Sequence, residues 1–151
     1  MVACPPLSSL TALRPMPAAE TFFDTNVLLY LLSEDTTKAD RAEELVANGG
    51  VISVQVLNEF AAVASAKLGM SWGEIRDVLT PIRALCEIEP LTIETHDRGI
   101  EIAERYGLSF YDAMILASAL SAGCKILYSE DLQDRQVIDR QLRIRNPFAS
   151  P

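Results

Sequence analysis

The sequence predicts an α/β sandwich built around a mainly parallel sheet. Short runs rich in β-branched and aromatic residues alternate with longer segments whose apolar residues recur at helical spacing. Glycines and capping residues separate these segments, and a chain of 151 residues is long enough for one compact domain. Strands that alternate with helices favour parallel pairing, because the helices cross over the faces of the sheet.

The first half of the chain predicts two strands, each followed by helix. Residues 21–24 are aromatic and β-branched, which favours a buried strand, and residues 26–32 continue as an apolar helix. Residues 38–48 have alanine and leucine at helical spacing and stop at two glycines, a common helix end. Residues 51–53 predict the second strand, and a helix over residues 54–67 follows.

The middle of the chain predicts a long helix, a strand and a second helix. Residues 71–74 form a capping box, Ser-Trp-Gly-Glu, and an apolar stripe continues from it to Leu85. Pro81 lies inside this stripe and is expected to kink or split the helix. Residues 86–91 predict the third strand, and residues 95–106 predict a helix that ends at a glycine.

The last third predicts one strongly apolar helix and two strands. Ser109 can cap the helix over residues 110–122. Residues 125–128 predict the fourth strand and residues 141–144 a weak fifth one. Residues 1–20 contain prolines and little periodicity, so we expect a disordered tail there.

The composition excludes several classes of protein. Hydrophobic residues make up 49% of the chain and charged residues 23%, which is typical of a globular domain. No apolar run reaches the roughly 18–20 residues of a membrane helix. The three cysteines, Cys4, Cys86 and Cys124, lack Cys-x-x-Cys spacing, and the single histidine, His96, excludes a His-ligated metal cluster. These features predict a reduced, cytoplasmic protein without a zinc site.

The net charge of −8 argues against a broad basic face that would bind nucleic acid. It still allows contact with phosphate through a metal ion. It also favours a basic protein as the partner.

Four acidic residues occur in apolar or structured surroundings far apart in the chain: Asp24, Glu59, Asp112 and Asp131. A carboxylate beside buried hydrophobic side chains is costly unless a cation meets it. Asp24 ends the first strand and Asp131 follows the fourth, so both should lie at the carboxyl edge of the sheet, where such folds bind ligands. Because Mg²⁺ and Mn²⁺ prefer carboxylate oxygens, the set predicts a metal site suited to phosphodiester hydrolysis.

Each acid also has a structural explanation of its own. Asp24 could cap a helix, and Glu59 could face solvent from an amphipathic helix. Asp112 could be a first-turn acid favoured by the helix dipole, and Asp131 could be a turn residue. The order and spacing of all four together favour the metal site.

Four segments in this order resemble the PIN-domain family: residues 22–28 (Phe-Phe-Asp-Thr-Asn-Val-Leu), 58–60 (Asn-Glu-Phe), 110–119 (Phe-Tyr-Asp-Ala-Met-Ile-Leu-Ala-Ser-Ala) and 127–132 (Leu-Tyr-Ser-Glu-Asp-Leu). The size and the closing Asn-Pro-Phe at residues 146–148 resemble the VapC-type toxins of bacterial toxin–antitoxin pairs. The match covers residues 21–148, which we take as a single PIN-like nuclease domain.

The resemblance implies a three-layer α/β/α sandwich and a Mg²⁺- or Mn²⁺-dependent endoribonuclease. In such an enzyme, metal-activated water attacks phosphorus in line and the product carries a 5′ phosphate. Asp24, Glu59 and Asp112 match the three metal-binding acids of the family, and Asp131 matches the fourth position. Asp134 is a second candidate for that fourth position, and spacing alone does not choose between the two.

Three further residues have supporting roles by the same resemblance. Ser129 matches the small hydroxyl residue that precedes the fourth acid by two positions. Thr25 or Asn26 could donate a hydrogen bond to an acid or to metal-bound water.

The resemblance also implies partners: an RNA substrate, an antitoxin with a basic tail, and a second copy of the chain. Candidate dimer contacts are Trp72 and the apolar stripe over residues 75–85, although core packing explains them equally well. Candidate RNA contacts are the cations Lys38, Arg41, Lys67 and Arg76, although each could equally lie on a solvated helix face.

Two other functions fit parts of the pattern. A haloacid-dehalogenase-like phosphatase also has an acid at the end of its first strand, but it requires Asp-x-Asp and this chain has Asn26 in place of the second acid. A PIN fold that binds or regulates without turnover is the second alternative, and the sequence does not exclude it.

Overall fold

Six strands form one sheet within residues 17–150, which are the residues that the computed structural model describes. The strands are β1 (Thr21–Phe23), β2 (Gly50–Ser53), β3 (Cys86–Glu89), β4 (Ile126–Tyr128), β5 (Val137–Ile138) and β6 (Leu142–Arg145). Their order across the sheet is β3-β2-β1-β4-β6-β5. Only β5 and β6 pair in antiparallel fashion, so the prediction of a mainly parallel sheet is confirmed.

The helices of the same range are α1 (Thr25–Leu29), α2 (Thr36–Ala47), α3 (Val54–Ala66), α4 (Trp72–Leu85), α5 (Ile93–Tyr106) and α6 (Phe110–Ser121). Together with the sheet they form the predicted three-layer α/β/α sandwich. Residues 18–20, the end of the predicted tail, form a short 3-10 turn. The rest of that prediction, over residues 1–16, lies outside the described residues.

The core lies around β1 and α6. Phe22 and Phe23 point to opposite faces of the sheet and both are fully buried, since helices cover both faces at its centre. Every residue of α6 from Ala113 to Leu120 is buried. A helix that is apolar on all sides packs inside a protein. Because α6 is held in the core, the position of its first turn, which carries Asp112, is fixed.

A serine or threonine caps four of the helices; α3, α4 and α6 begin where the sequence predicts, whereas α5 begins at Ile93, two residues before its predicted start. Ser53, Ser71, Thr92 and Ser109 each accept a hydrogen bond from a backbone amide of the following first turn. The capping box predicted at the start of α4 has both of its hydrogen bonds. The helix predicted from residue 38 begins earlier, because the Asp35 carboxylate accepts from the Lys38 amide and caps α2 at Thr36.

Pro81 does not split its helix, which runs unbroken from Trp72 to Leu85. The Pro81 side chain is exposed, so its ring lies on the solvent side of α4. The buried side of the helix is held to the core by Ile75 and Ile82, and we infer that this packing keeps the two halves in one helix.

The structure has a strand that the sequence analysis missed. β5 and β6 form a hairpin whose turn residues, Asp139 and Arg140, have φ of 50° and 59°. Two positive φ values are typical of a type I′ turn, which usually contains Asn-Gly or Asp-Gly. Tyr106 stabilises this unusual turn, because its hydroxyl accepts from the Asp139 amide at 2.9 Å and donates to the Asp139 carboxylate at 2.9 Å.

The described helices include none that is both long enough and apolar enough to cross a bilayer. Cys86 and Cys124 are free and buried, and burial raises the pKa of their thiols to about 11 and about 12. His96 is exposed in the first turns of α5, where its ring contacts Phe110 edge-on at 5.5 Å between centroids.

Candidate functional site

Asp24 occupies the junction between β1 and α1, at the carboxyl edge of the sheet. Its amide donates to the Tyr128 carbonyl at 3.0 Å, which continues the pairing of β1 with β4 by one residue. Its carboxylate then accepts from the Thr25 amide at 2.7 Å and caps α1. The side chain is only 6% exposed, so a charged group lies at the inner end of the site.

The second carboxylate oxygen of Asp24 has two side-chain donors. The Ser129 hydroxyl donates to it at 2.7 Å and the Asn26 amide at 3.2 Å. Burial raises the pKa of Asp24 to about 6, against the lowering effect of the bonds from Ser129 and Thr25. The nearby charges of Glu59 and Asp131 contribute to this rise. The site therefore holds more negative charge than its own donors neutralise.

Glu59 reaches the same place from the second turn of α3. Its carboxylate accepts from the Thr25 hydroxyl at 2.7 Å and from the Gln55 side-chain amide at 3.0 Å. Gln55 lies four residues before Glu59, one helical turn away, and so holds the carboxylate from the same helix face. Thr25 thus contacts both acids, since its amide donates to Asp24 and its hydroxyl to Glu59.

Asn26 joins the two strand ends that carry acids. Its side-chain amide donates to Asp24, to the Ser129 hydroxyl at 3.3 Å and to the Asp131 carboxylate at 3.2 Å. Its side-chain carbonyl accepts from the Glu130 amide at 3.1 Å. Asn26 therefore fixes the loop after β4 relative to the start of α1, which explains why an amide suits this position better than a second acid.

Ser129 is fully buried beneath that loop. Besides donating to Asp24, its hydroxyl accepts from the amides of Asp131 and Leu132 at 3.2 and 3.3 Å. A single hydroxyl thus orients the innermost acid and holds the backbone that presents Asp131. The supporting residues of the sequence analysis, Thr25, Asn26 and Ser129, all contact the acids.

One cleft of about 390 Å³ is lined by all four acids together with a lysine. Its lining residues are Asp24, Thr25, Asn26, Leu29, Glu59, Ala62, Val63, Lys67, Asp112 and Asp131. We call it the acidic cleft. Asp112 enters the cleft from the first turn of α6, where its own amide donates to the Ser109 hydroxyl. Asp131 is exposed at the rim of the cleft.

The donor set fits a hard divalent cation, because carboxylate oxygens are the ligands that Mg²⁺ and Mn²⁺ prefer. A bound cation would also offset the causes that raise the pKa of Asp24, which are first its burial and then the charges of Glu59 and Asp131. The carboxylates do not form a closed cage, however. Within residues 17–150, no three His, Cys, Asp or Glu side chains are grouped closely enough to hold an ion as they stand.

Asp134 is not among the residues that line the acidic cleft. Its carboxylate accepts from the Asn146 amide at 2.8 Å and lies 3.8 Å from the Arg145 guanidinium. Asp134 therefore links the loop after β4 to the end of β6 and to the residue that follows it. The geometry separates Asp131 from Asp134, which spacing in the sequence did not.

The four candidate cations have different positions. Lys67 lines the acidic cleft, whereas Arg76 is exposed on α4 outside it. Lys38 donates to the Glu130 carboxylate at 2.8 Å and to the Tyr30 hydroxyl at 3.0 Å, so its charge is already paired. Arg41 donates to a backbone carbonyl of the C-terminal segment.

The sequence analysis missed residues that support the acids without lining the acidic cleft. The Tyr30 hydroxyl also donates to Glu130, whose carboxylate is therefore held from two sides. Burial works to raise the pKa of Glu130, but the bonds from Lys38 and Tyr30 outweigh it and leave this pKa lowered. Gln55 was missed too. Only its position one turn before Glu59 could have indicated it.

The apolar candidates for a dimer contact divide into two groups. Ile75 and Ile82 are 3% and 4% exposed and belong to the core, so core packing accounts for them. Trp72 and Leu85 are 61% and 49% exposed at the two ends of α4. These two remain available for contact with another chain.

The model of the PIN domain matches residues 21–137. This chain belongs to the PIN-domain family. The match confirms the resemblance drawn from the sequence and places the chain in this family rather than among the haloacid-dehalogenase-like phosphatases.

Several solved structures share the PIN fold of this chain. A toxin–antitoxin complex from Klebsiella pneumoniae has a TM-score of 0.65 at 20% identity, covering 85% of this chain and 98% of that one. VapC20 from Mycobacterium tuberculosis, described as a sarcin–ricin loop cleaving toxin, has a TM-score of 0.61 at 22% identity, covering 74% and 89%. VapBC2 from Rickettsia felis, bound to a DNA fragment from its promoter, has a TM-score of 0.61 at 19% identity, covering 83% and 97%. A search of curated proteins found no match.

Proposed function

We propose that this PIN-domain chain is a divalent-metal-dependent endoribonuclease and the toxin of a toxin–antitoxin pair. The observation that carries the proposal is the acidic cleft, where four carboxylates from separate segments meet in a PIN fold. Negative charges that converge on one cleft repel one another, and a bound cation would offset both this repulsion and the burial of Asp24. A fold has little reason to keep this arrangement except for function.

Asp24, Glu59, Asp112 and Asp131 would hold Mg²⁺ or Mn²⁺, and we assign the fourth position to Asp131 rather than Asp134 on the lining of the cleft. When bound, such an ion neutralises charge on a phosphodiester and lowers the pKa of water. The chain's own residues orient the acids: Ser129 and Asn26 hold Asp24, while Thr25 holds Glu59. We expect products with a 5′ phosphate.

Lys67 is the cation best placed to contact the substrate. It is exposed at the C-terminal end of α3 and lines the acidic cleft, where an RNA phosphate would enter. An ammonium group there would offset part of the repulsion between the acids and the polyanion. Lys67 would act by binding and orienting the phosphate.

The toxin assignment is supported by the structural neighbours, which are toxins or toxin–antitoxin complexes of the same fold. The net charge of −8 suits a basic antitoxin whose tail would cover the acidic cleft. We also propose a cytoplasmic location, where Cys86 and Cys124 remain reduced, and a homodimer.

The decisive experiment is cleavage of labelled single-stranded RNA by the wild-type protein and by Asp24→Asn. We expect cleavage with Mg²⁺ or Mn²⁺, none with EDTA, and at least a hundredfold loss in the variant. Asp97→Asn is the matched control, because Asp97 is an exposed acid of α5 and should keep full activity. Cleavage that persists in EDTA or in Asp24→Asn would refute the metal-dependent mechanism, and no cleavage by the wild type would favour a non-catalytic binding module.

A further inference from the structure

A second cleft, of about 330 Å³, lies between α2, β4 and the C-terminal segment. Arg41 and Arg145 flank it, Ile126 and Tyr128 form its floor, and Asn146 lies at its edge. None of the described residues that line it is acidic. In a chain with 21 acidic and 13 basic residues, this local charge is the reverse of the overall one. We call it the arginine cleft.

The arginine cleft exists because helices leave one face of the sheet open at this edge. Side chains alternate between faces along a strand. On one face of the β4–β6 pair, Leu127 and Ile144 are fully buried. On the other face, Tyr128 is half-buried and pairs with Arg145, which is exposed. The open face therefore combines an aromatic floor with cationic side chains.

Both guanidinium groups keep most of their donors free for a ligand. Arg41 donates from Nε to the Pro147 carbonyl at 3.2 Å, which fixes its direction, and lies 3.5 Å from Glu44. Arg145 lies 3.8 Å from Asp134. These are loose, solvent-exposed ion pairs of the kind that contribute about 0–1 kcal/mol. Each guanidinium has five N–H donors, so a phosphate could replace the weak carboxylate partner in a bidentate contact.

The arginine cleft adjoins the acidic cleft through the backbone. The Arg145 carbonyl accepts from the Ser129 amide at 3.0 Å, and the Ser129 hydroxyl donates to Asp24. Tyr128 and Arg145 end β4 and β6, so this part of the arginine cleft lies next to the edge of the sheet that carries the acids.

We propose that the arginine cleft binds backbone phosphates of single-stranded RNA beside the segment held in the acidic cleft. The proposal rests on the proposed function, since it extends the binding site of the same substrate. A polyanion is repelled by four carboxylates and needs cations nearby to approach them. Arg41 and Arg145 supply that attraction, and their planar forks match phosphate oxygens.

The test measures binding without cleavage. Fluorescence anisotropy with a labelled single-stranded RNA is followed in EDTA, so that metal-dependent turnover cannot interfere. We compare the wild type with the double variant Arg41→Gln/Arg145→Gln across a range of salt concentrations. The matched control is Arg83→Gln/Arg140→Gln, which removes the same charge from exposed positions on α4 and in the turn between β5 and β6.

We expect the arginine-cleft variant to bind about tenfold more weakly at low salt, while the control stays within twofold of the wild type. The slope of log affinity against log salt should become shallower by about 1.4, since each phosphate contact of a single strand contributes about 0.7. Arg41→Lys/Arg145→Lys should restore the salt slope, because it keeps both charges, but only part of the affinity, because lysine lacks the planar fork. Thermal unfolding of each variant shows that the folded protein is being compared.

Equal affinity and equal salt slope for the arginine-cleft variant and its control would overturn the proposal, as would no measurable RNA binding by the wild type. Binding of poly-glutamate with the same dependence on both arginines would overturn it too, by indicating an acidic protein as the ligand. Cleavage with Mn²⁺ is measured in parallel. A wild type that binds through the arginines but does not cleave would refute the proposed function and support this inference.

Discussion

At the scale of single residues, Asp24 has a structural role and a chemical one at the same time. It caps α1 through the Thr25 amide, as an ordinary N-cap aspartate would, and it also lines the acidic cleft. The cap alone would not require burial among other acids. The raised pKa of Asp24 reflects the cost of burying its charge near Glu59 and Asp131 in the metal-free protein.

That cost predicts how stability depends on pH. With a pKa of about 6 in the folded state against an ordinary 3.8, the folded protein binds the Asp24 proton more tightly than the unfolded chain does. Its contribution to the free energy of unfolding is therefore fully present below about pH 4 and is lost as the pH rises through 6. The total loss corresponds to at most about 3 kcal/mol. Asp24→Asn lacks this component and should gain stability relative to wild type between pH 4 and 7.

Urea unfolding in EDTA at pH 4, 5, 6 and 7 measures the difference between the two proteins. Asp97→Asn serves as the control, because this exposed acid should leave the pH profile of the wild type unchanged. A constant difference between wild type and Asp24→Asn across the range would show that Asp24 titrates normally.

At the scale of elements, strong local patterns were sufficient for most of the fold. β1 is buried throughout and α6 is strongly apolar, and both were predicted within a residue or two of their bounds. The hairpin of β5 and β6 was missed because its turn contains Asp139 and Arg140 and depends on a contact with α5. Tertiary contacts of this kind leave no local signal.

The hydrogen bonds that organise the acidic cleft are also tertiary contacts, and only part of the site could be predicted from local sequence. Asp24 and Asp131 were predicted to share one edge because parallel strands end there, and both line the acidic cleft. The choice between Asp131 and Asp134 needed the path of the loop, which depends on long-range hydrogen bonds from Asn26 to Asp131 and from Ser129 to Asp24. Contacts over a hundred residues of sequence separation cannot be deduced from spacing.

The contact between β1 and β2 predicts a sensitive position next to the site. A Cβ added at Gly50 would lie 2.5 Å from Cε2 of Phe23 and 3.1 Å from the Thr21 carbonyl oxygen. Phe23 is fully buried and precedes Asp24, so neither group can move without disturbing the sheet. We expect Gly50→Ala to lower the free energy of unfolding by about 1–3 kcal/mol, measured by urea denaturation.

Gly73→Ala is the matched control for this substitution. A Cβ at Gly73, in the exposed first turn of α4, would meet only the Ser71 hydroxyl at 3.9 Å. Alanine is the better helix former, so we expect a gain of about 0.5–1 kcal/mol. Equal effects of the two substitutions would show that the Phe23 ring does not restrict Gly50.

At the scale of the whole molecule, the charge is divided rather than uniform. The acidic cleft concentrates four of the 21 acidic residues, while the arginine cleft on the adjoining face carries no acid among its described lining residues. A basic partner would therefore bind at the acidic cleft, whereas the RNA would contact both clefts. An antitoxin tail that covered the acidic cleft would displace the metal and leave the arginine cleft open.

This division predicts where a basic partner binds. An arginine-rich peptide should raise the unfolding temperature of the metal-free protein, because it binds the folded acidic cleft; each 1 kcal/mol of stabilisation corresponds to about 2–4 °C for a domain of this size. The effect should disappear in Asp24→Asn/Glu59→Gln/Asp112→Asn and at about 1 M salt, where the screening length falls to about 3 Å. The control removes three exposed acids of α5, at Asp97, Glu101 and Glu104, and should respond as the wild type does. A loss of response in both triple variants would mean that peptide binding depends on net charge alone. That result would contradict the acidic cleft as the antitoxin site.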